Sequence, residues 1–94
     1  MNISIIFKNI FKKLKKEKSL EKNVKIGDKT NVTGENSPFD SVAFVQLTSY
    51  IELELAKKLK KNFSILLNEI PEIKKNRSLT IGGLKKYISN KIKR

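Results

Sequence analysis

The stretch Phe39-Asp40-Ser41-Val42, with the apolar run that follows it to about Leu59, decides the fold. It comes directly after the turn signal Asn36-Ser37-Pro38 and passes at once into the residue spacing of an amphipathic helix. We expect this helix to run from Ser41 to about Asn62. The apolar residues that we expect on its buried face are Val42, Val45, Leu47, Ile51, Leu55 and Leu59.

Asp40 and Ser41 stand where the predicted helix begins. A carboxylate at Asp40 can accept hydrogen bonds from the free N–H groups of the first turn, so Asp40 is the expected N-cap and Ser41 the first helical residue. The positive end of a helix favours a group that carries a phosphate. We therefore interpret the rest of the chain as a scaffold that presents the hydroxyl of Ser41.

The composition limits what the chain can do by itself. Its 94 residues predict one domain, residues 1–94, with a small core. The absence of cysteine removes disulfides and thiolates, and the absence of histidine removes the usual general base and the commonest metal ligand. The nine carboxylates show no ligand-like spacing. We therefore expect neither catalysis nor a metal site.

The formal charge of +12, from 21 basic against 9 acidic residues, is typical of chains that bind nucleic acid or an anionic membrane. Of the basic residues, however, only Arg77 and Arg94 are arginine, the side chain that forks onto phosphates and base edges. Lysine, isoleucine and asparagine are abundant together, as an A+T-rich coding sequence would give. A small basic module that binds nucleic acid or a membrane surface remains the alternative function.

Residues 3 to about 18 are predicted to form an amphipathic helix with lysines on its other face. We interpret it as the first core helix of a bundle, because the later helices need a partner for their own apolar faces, and a membrane-surface helix is the alternative. The apolar stripe consists of Ile3, Ile6, Phe7, Ile10, Phe11 and Leu14.

From about Ser19 to Pro38 the helical period disappears and turn residues take its place. We expect this long loop to lie across the bundle with its apolar side chains tucked in, and a flexible linker is the alternative. The side chains concerned are Val24, Ile26, Val32 and, just after the loop, Phe39.

Two further helices are predicted near the C-terminus. A short one spans about Glu69 to Lys75, with Pro71 in its first turn, where the missing N–H costs nothing. Thr80 then caps a last helix that runs to about Ile92. Its apolar face holds Ile81, Leu84, Tyr87, Ile88 and Ile92, and its glycines, Gly82 and Gly83, would weaken an isolated helix unless they permit a close approach to a neighbouring helix.

Together, the predicted elements indicate an all-α fold of three longer helices and one short helix, with a long first loop. No apolar run approaches the roughly 18–20 residues that cross a bilayer, and the N-terminus lacks the pattern of a secretory signal. A cytoplasmic protein is therefore expected.

The motifs resemble those of the acyl carrier protein family, which includes peptidyl and aminoacyl carrier proteins. Asp40-Ser41-Val42 stands in place of the family's Asp-Ser-Leu, and Gly34–Phe39 resembles the loop that leads into the modified serine. Leu79–Ile88 resembles the family's closing helix, with its threonine, leucine and tyrosine-isoleucine. Val45, Leu47, Ile51 and Leu55 follow at the spacings of the family's second helix, so the resemblance covers essentially the whole chain.

This resemblance implies a small acyl-carrier-like four-helix bundle that acts as a monomeric, non-catalytic carrier. Ser41 would hold 4′-phosphopantetheine as a phosphodiester, attached from coenzyme A by a phosphopantetheinyl transferase. Asp40 would cap the helix and help to position the transferase's metal-bound coenzyme, and Val42 would lie beside the arm. An acyl- or aminoacyl-activating ligase would load the terminal thiol, and a downstream transferase would unload it. A chain without cysteine can hold a thioester only through such a borrowed thiol.

The charge departs from the family's pattern. Carriers of fatty-acid synthesis are usually acidic along the second helix, whereas the second and fifth positions after the serine here are Ala43 and Gln46. Lysines crowd the far end of that helix, which would cost affinity for basic partner enzymes. They are Lys57, Lys58, Lys60 and Lys61, and they leave Glu52 and Glu54 as the acids of the helix. We therefore expect a carrier of a dedicated biosynthetic pathway and not of general fatty-acid synthesis.

Overall fold

The computed structural model describes residues 2–93. Over that range the chain is mostly helical, with three longer α-helices, one short α-helix and no β-strand, so the all-α prediction is confirmed. The helices are α1 (Ile3–Lys16), α2 (Ser41–Leu59), α3 (Pro71–Lys74) and α4 (Ile81–Ile92), and a 3₁₀ turn at Leu67–Glu69 precedes α3. Among these described residues we find no helix that is both long enough and apolar enough to cross a bilayer.

The described residues divide into two compact units. The first contains α1 and α2 and is formed by the residues up to Val24 together with Phe39–Ile65. The second contains the long loop Lys25–Pro38 and the residues from Leu66 onwards, with α3 and α4.

In the first unit, α1 begins where Asn2 caps it, with the side-chain oxygen accepting the N–H of Ile5 at 3.2 Å. The helix ends at Lys16, two residues before the predicted end, and Lys18 follows with a positive φ of 66°. Its buried face is Ile6, Phe7, Ile10 and Leu14, with Ile3 and Phe11 half-buried. The apolar stripe is therefore buried, as expected for a core helix.

The buried face of α2 differs from the predicted one. Val42 and Val45 are 63% and 60% exposed, so their placement in the core was wrong. The side chains that are buried, at a spacing of four, are Ala43, Leu47, Ile51 and Leu55, while Leu59 is half-buried. Apolar residues occupy several sides of α2, and a small alanine rather than a valine begins the packed row. The helix ends at Leu59 because Lys60 adopts a left-handed conformation, with φ 56°.

The end of α1 packs beside the first half of α2. Ser19 donates a hydrogen bond to the side-chain oxygen of Gln46, and the hydroxyl of Tyr50 donates to Glu17 Oε1 at 2.7 Å. The second of these bonds raises the pKa of Tyr50, since the phenol would lose a favourable contact with a carboxylate on deprotonation. The two helices therefore run in opposite directions and are held by polar contacts as well as by their apolar faces.

In the second unit, backbone hydrogen bonds join the long loop to the start of α4. Ile81 N–H donates to the carbonyl of Thr30 at 2.9 Å, and Gly82 N–H donates to that of Asp28 at 2.8 Å. Val32 N–H donates to the carbonyl of Leu79 at 2.6 Å. These bonds are typical of an ordered loop and disfavour a flexible linker. Val32 and Phe39 are buried as expected, whereas Val24 and Ile26 are only half-buried.

The last helix begins as predicted, whereas the short helix begins at Pro71, two residues after the predicted start at Glu69. Pro71 is the first residue of α3, and the hydroxyl of Thr80 accepts the N–H of Gly83 at 3.1 Å to cap α4.

A Cβ on Gly82 would lie 3.1 Å from the backbone oxygen of Asp28, so this glycine permits a close approach to the loop. A Cβ on Gly83 would lie 2.7 Å from the side chain of Glu72 in α3, so this second glycine permits the expected approach to a neighbouring helix. The buried residues of α4 are Ile81, Leu84, Tyr87 and Ile88, with Ile92 half-buried.

Candidate functional site

Ser41 is the first residue of α2, and Asp40 is its N-cap, as predicted. Asp40 has an extended backbone (φ −79°, ψ −177°), and its Oδ1 accepts the N–H of Ala43 at 2.8 Å. The carbonyl of Asp40 accepts the N–H of Phe44 at 2.9 Å. The side-chain bond follows from the local sequence, since an aspartate ahead of a helical stretch satisfies a donor that the helix itself cannot, and the carbonyl bond is the first regular bond of the helix.

Ser41 is exposed, and its polar groups are available to an outside partner. Residues 2–93 provide no hydrogen-bond acceptor for its hydroxyl, for its N–H or for the N–H of Val42. Two first-turn N–H donors therefore lie next to the hydroxyl at the positive end of a 19-residue helix. A negative group at such an end gains about 0.3–1 kcal/mol when it is exposed. The arrangement favours a phosphate esterified to this hydroxyl.

Phe39 anchors the chain immediately before the cap. Its side chain is buried, and its ring packs against that of Phe11 on α1 with the centroids 6.2 Å apart. Phe11 in turn meets the ring of Phe7 edge-on at 5.9 Å. A buried apolar residue ahead of an N-cap fixes the angle at which the chain enters a helix. The packing of Phe39 therefore fixes the position of the backbone just before Asp40 and Ser41 in the first unit.

The surface beside Ser41 is apolar. Val42 follows it directly, and Val45, four residues after Ser41, lies on the same face of the helix, with both valines exposed. Ala43 is fully buried, and the side chain of Gln46 accepts a hydrogen bond from Ser19. Neither residue is therefore available on the surface for a partner. The exposure of these two valines was not predicted. A signal was present in the sequence, because the apolar residues Ala43, Leu47, Ile51 and Leu55 recur every four positions on another face of the helix.

The site offers a nucleophilic oxygen but has little with which to activate it. The carboxylate of the neighbouring Asp40 already accepts the N–H of Ala43. In the part of the chain that the structure describes, no three acidic side chains cluster in a way that could hold a metal ion.

Comparison with known proteins finds no family model, no curated protein and no solved structure that matches this chain. The motif around Ser41 and the geometry of that residue are therefore the features that point to a function.

Proposed function

We propose that this chain is an acyl or aminoacyl carrier protein with an acyl-carrier-like four-helix bundle, which holds 4′-phosphopantetheine on Ser41. The observation that carries the proposal is the state of Ser41: it is exposed, it is the first residue of a long capped helix, and it lies beside two unpaired N–H donors. The resemblance of Asp40-Ser41-Val42 and of Leu79–Ile88 to the carrier motifs supports it.

Attachment of the arm is a phosphoryl transfer catalysed by a phosphopantetheinyl transferase. Ser41 Oγ attacks the phosphorus that bears the pantetheine unit of coenzyme A, and the diphosphate bond breaks. Adenosine 3′,5′-bisphosphate leaves, and the hydroxyl proton passes to a base on the transferase. Asp40 keeps the first turn in place and would help to position the metal-bound coenzyme, while the free N–H groups of Ser41 and Val42 would favour the resulting phosphodiester.

When bound, the arm would supply a terminal thiol for the cargo. An acyl- or aminoacyl-activating ligase would load that thiol and a downstream transferase would unload it, so under this proposal the chain is a cytoplasmic monomer that serves as a substrate of enzymes and is not itself a catalyst. The surface chemistry supports a dedicated pathway, because the exposed residues nearest Ser41 on α2 are Val42 and Val45 and not carboxylates. A basic patch evolved to dock an acidic helix finds no complement there.

The nucleic-acid and membrane alternatives have less support. Stacking on bases requires exposed aromatic rings, whereas Phe7, Phe39 and Tyr87 are buried and the other four rings of residues 2–93 are half-buried. A membrane-surface helix would present the apolar stripe of α1, but Ile6 and Ile10 of that stripe are buried as well.

Loading in vitro tests the proposal. We expect incubation with coenzyme A and a broad-specificity phosphopantetheinyl transferase to add one phosphopantetheinyl group, seen by intact mass. Ser41→Ala abolishes the addition, while Ser49→Ala, a serine further along the same helix, is loaded like the native chain. Because Ser41 is exposed, Ser49 is only half-buried and alanine is a good helix former, circular dichroism should show both variants folded. Addition to Ser41→Ala, or no addition to the native chain, would refute the assignment.

Partner selection tests the dedicated pathway. We expect the loaded chain to accept malonyl groups from a general fatty-acid synthase about tenfold or more slowly than an acidic carrier does, since complementary charge is missing. Val45→Glu, which puts a carboxylate at an exposed position beside Ser41, raises that rate. If the native chain and the acidic carrier accept malonyl groups equally fast, the pathway assignment is wrong.

A further inference from the structure

An open groove runs between α1 and α2 in the first unit, away from Ser41. Its volume is about 430 Å³. Its apolar floor includes Ile5, Ile10 and Leu53, and two of these are unusually exposed for aliphatic side chains, Ile5 at 55% and Leu53 at 60%. Leu53 lies roughly 18 Å along the helix from Ser41, at the rise of an α-helix. The groove is therefore a separate surface from the proposed attachment site.

The rim of the groove is basic. Lys13 from α1 and Lys57 and Lys58 from α2 line it. No ion pair within residues 2–93 uses any of the three. The ammonium of Lys13 instead lies 4.2 Å from the ring centroid of Tyr50, whose hydroxyl is bound to Glu17. One carboxylate, Glu54, also lines the groove. The lining therefore holds three cations against one carboxylate and is basic overall.

The shape of the groove selects among the possible occupants. The lining residues of α1 extend from Asn2 to Lys13, about 17 Å of helix, and those of α2 from Tyr50 to Lys58, about 12 Å. A trough of this length between two packed helices accommodates two or three turns of a third helix. A flat bilayer surface touches only its edges, and the two exposed aliphatic side chains offer little anchoring area.

We propose that this groove docks an acidic amphipathic helix of a partner protein. Apolar side chains of that helix at i, i+3 or i+4, and i+7 would cover Ile5 and Leu53, which removes exposed apolar surface from water. Glutamates or aspartates along its edges would face Lys13 on one side and Lys57 with Lys58 on the other. Such charge complementarity raises the association rate and fixes the register. The docking does not depend on the chemistry at Ser41.

Selection from a peptide library tests this surface. A helix-biased random library of about 16-residue peptides is displayed and selected against the full chain. We expect the enriched peptides to share an apolar stripe flanked by acidic residues. Leu53→Gln then weakens their binding about tenfold or more, equivalent to about 1.4 kcal/mol. Val45→Gln, on the same helix with the same 60% exposure, leaves binding unchanged.

A matched charge pair completes the design. Lys57→Gln with Lys58→Gln weakens binding and flattens its salt dependence, whereas Lys8→Gln with Lys12→Gln removes the same charge from exposed positions outside the groove and has a much smaller effect. Circular dichroism and urea unfolding check that each variant is folded. If Leu53→Gln unfolds, the comparison of the two lysine pairs still supports or overturns the proposal.

Several results would overturn the proposal. They are an absence of enriched peptides, enrichment without acidic residues, and equal binding by the groove variants and their controls. Two control assays identify other occupants, which also overturn it. Binding to vesicles of equal parts phosphatidylglycerol and phosphatidylcholine that Leu53→Gln abolishes would assign the groove to a membrane. A dimer, seen by sedimentation, that the same variant dissociates would assign it to a second copy of the chain.

Discussion

The carboxylate of Asp40 decides where α2 begins, because it satisfies the N–H of Ala43 at 2.8 Å. We expect Asp40→Ala to lower the free energy of unfolding by about 1 kcal/mol, the usual cost of losing an N-cap, and Asp40→Asn to retain most of it. Urea unfolding followed by circular dichroism measures both. A loss as large for asparagine as for alanine would show that the charge of Asp40, and not its cap, stabilises the fold.

Single residues also show what the sequence could and could not predict. The cap at Asp40 and the first helical position at Ser41 were predicted correctly, since both depend on neighbours three residues away. The exposure of Val42 and Val45 was not, because valine and alanine are both apolar and the choice between their faces depends on how α1 packs against α2. The sequence does contain the row Ala43, Leu47, Ile51 and Leu55, but only the packing of α1 against α2 shows that this row, and not the one with the valines, is buried.

Among the elements, the long loop depends on a contact between distant parts of the second unit. Thr33 Oγ1 accepts the N–H of Leu79 at 2.9 Å, and Leu79 is fully buried. Thr33→Val therefore leaves a donor in a buried residue without its partner, and we expect the free energy of unfolding to fall by about 1–3 kcal/mol.

Thr30→Val is the matched control for this loop. Its hydroxyl accepts the N–H of Gly27 in an exposed turn, where water can replace it, so the loss should be smaller. Urea unfolding of both variants measures the difference. Equal stability of the two would contradict the structural role that we assign to Thr33.

The helices were easier to predict than the connection between them. α1, α3 and α4 appear where periodicity, Pro71 and the Thr80 cap indicate, with ends shifted by a few residues. The pairing of Asp28, Thr30 and Val32 with residues 79–82 was not predicted, because it joins positions far apart in sequence. Gly82 is a second example. A glycine at this position indicated a close approach, but only the fold shows that the neighbouring backbone belongs to the loop.

At the scale of the whole molecule, the charge of +12 opposes folding by self-repulsion. The first unit alone holds eleven lysines against five carboxylates, so the repulsion acts within it as well as across the whole chain. We expect sodium chloride between about 0.01 M and about 0.15 M, which shortens the screening length from about 30 Å to about 8 Å, to raise the midpoint of urea unfolding. A midpoint that falls would mean that attractive ion pairs outweigh the repulsion.

The organisation of residues 1–94 as a single carrier domain stays a prediction. Intact mass spectrometry of the chain purified from the cells that produce it, with peptide mapping of the modified residue, tests the assignment of Ser41. We expect a mass increased by one phosphopantetheinyl group, located on Ser41. An unmodified Ser41, in cells whose transferase and coenzyme A load their other carrier proteins, would contradict it.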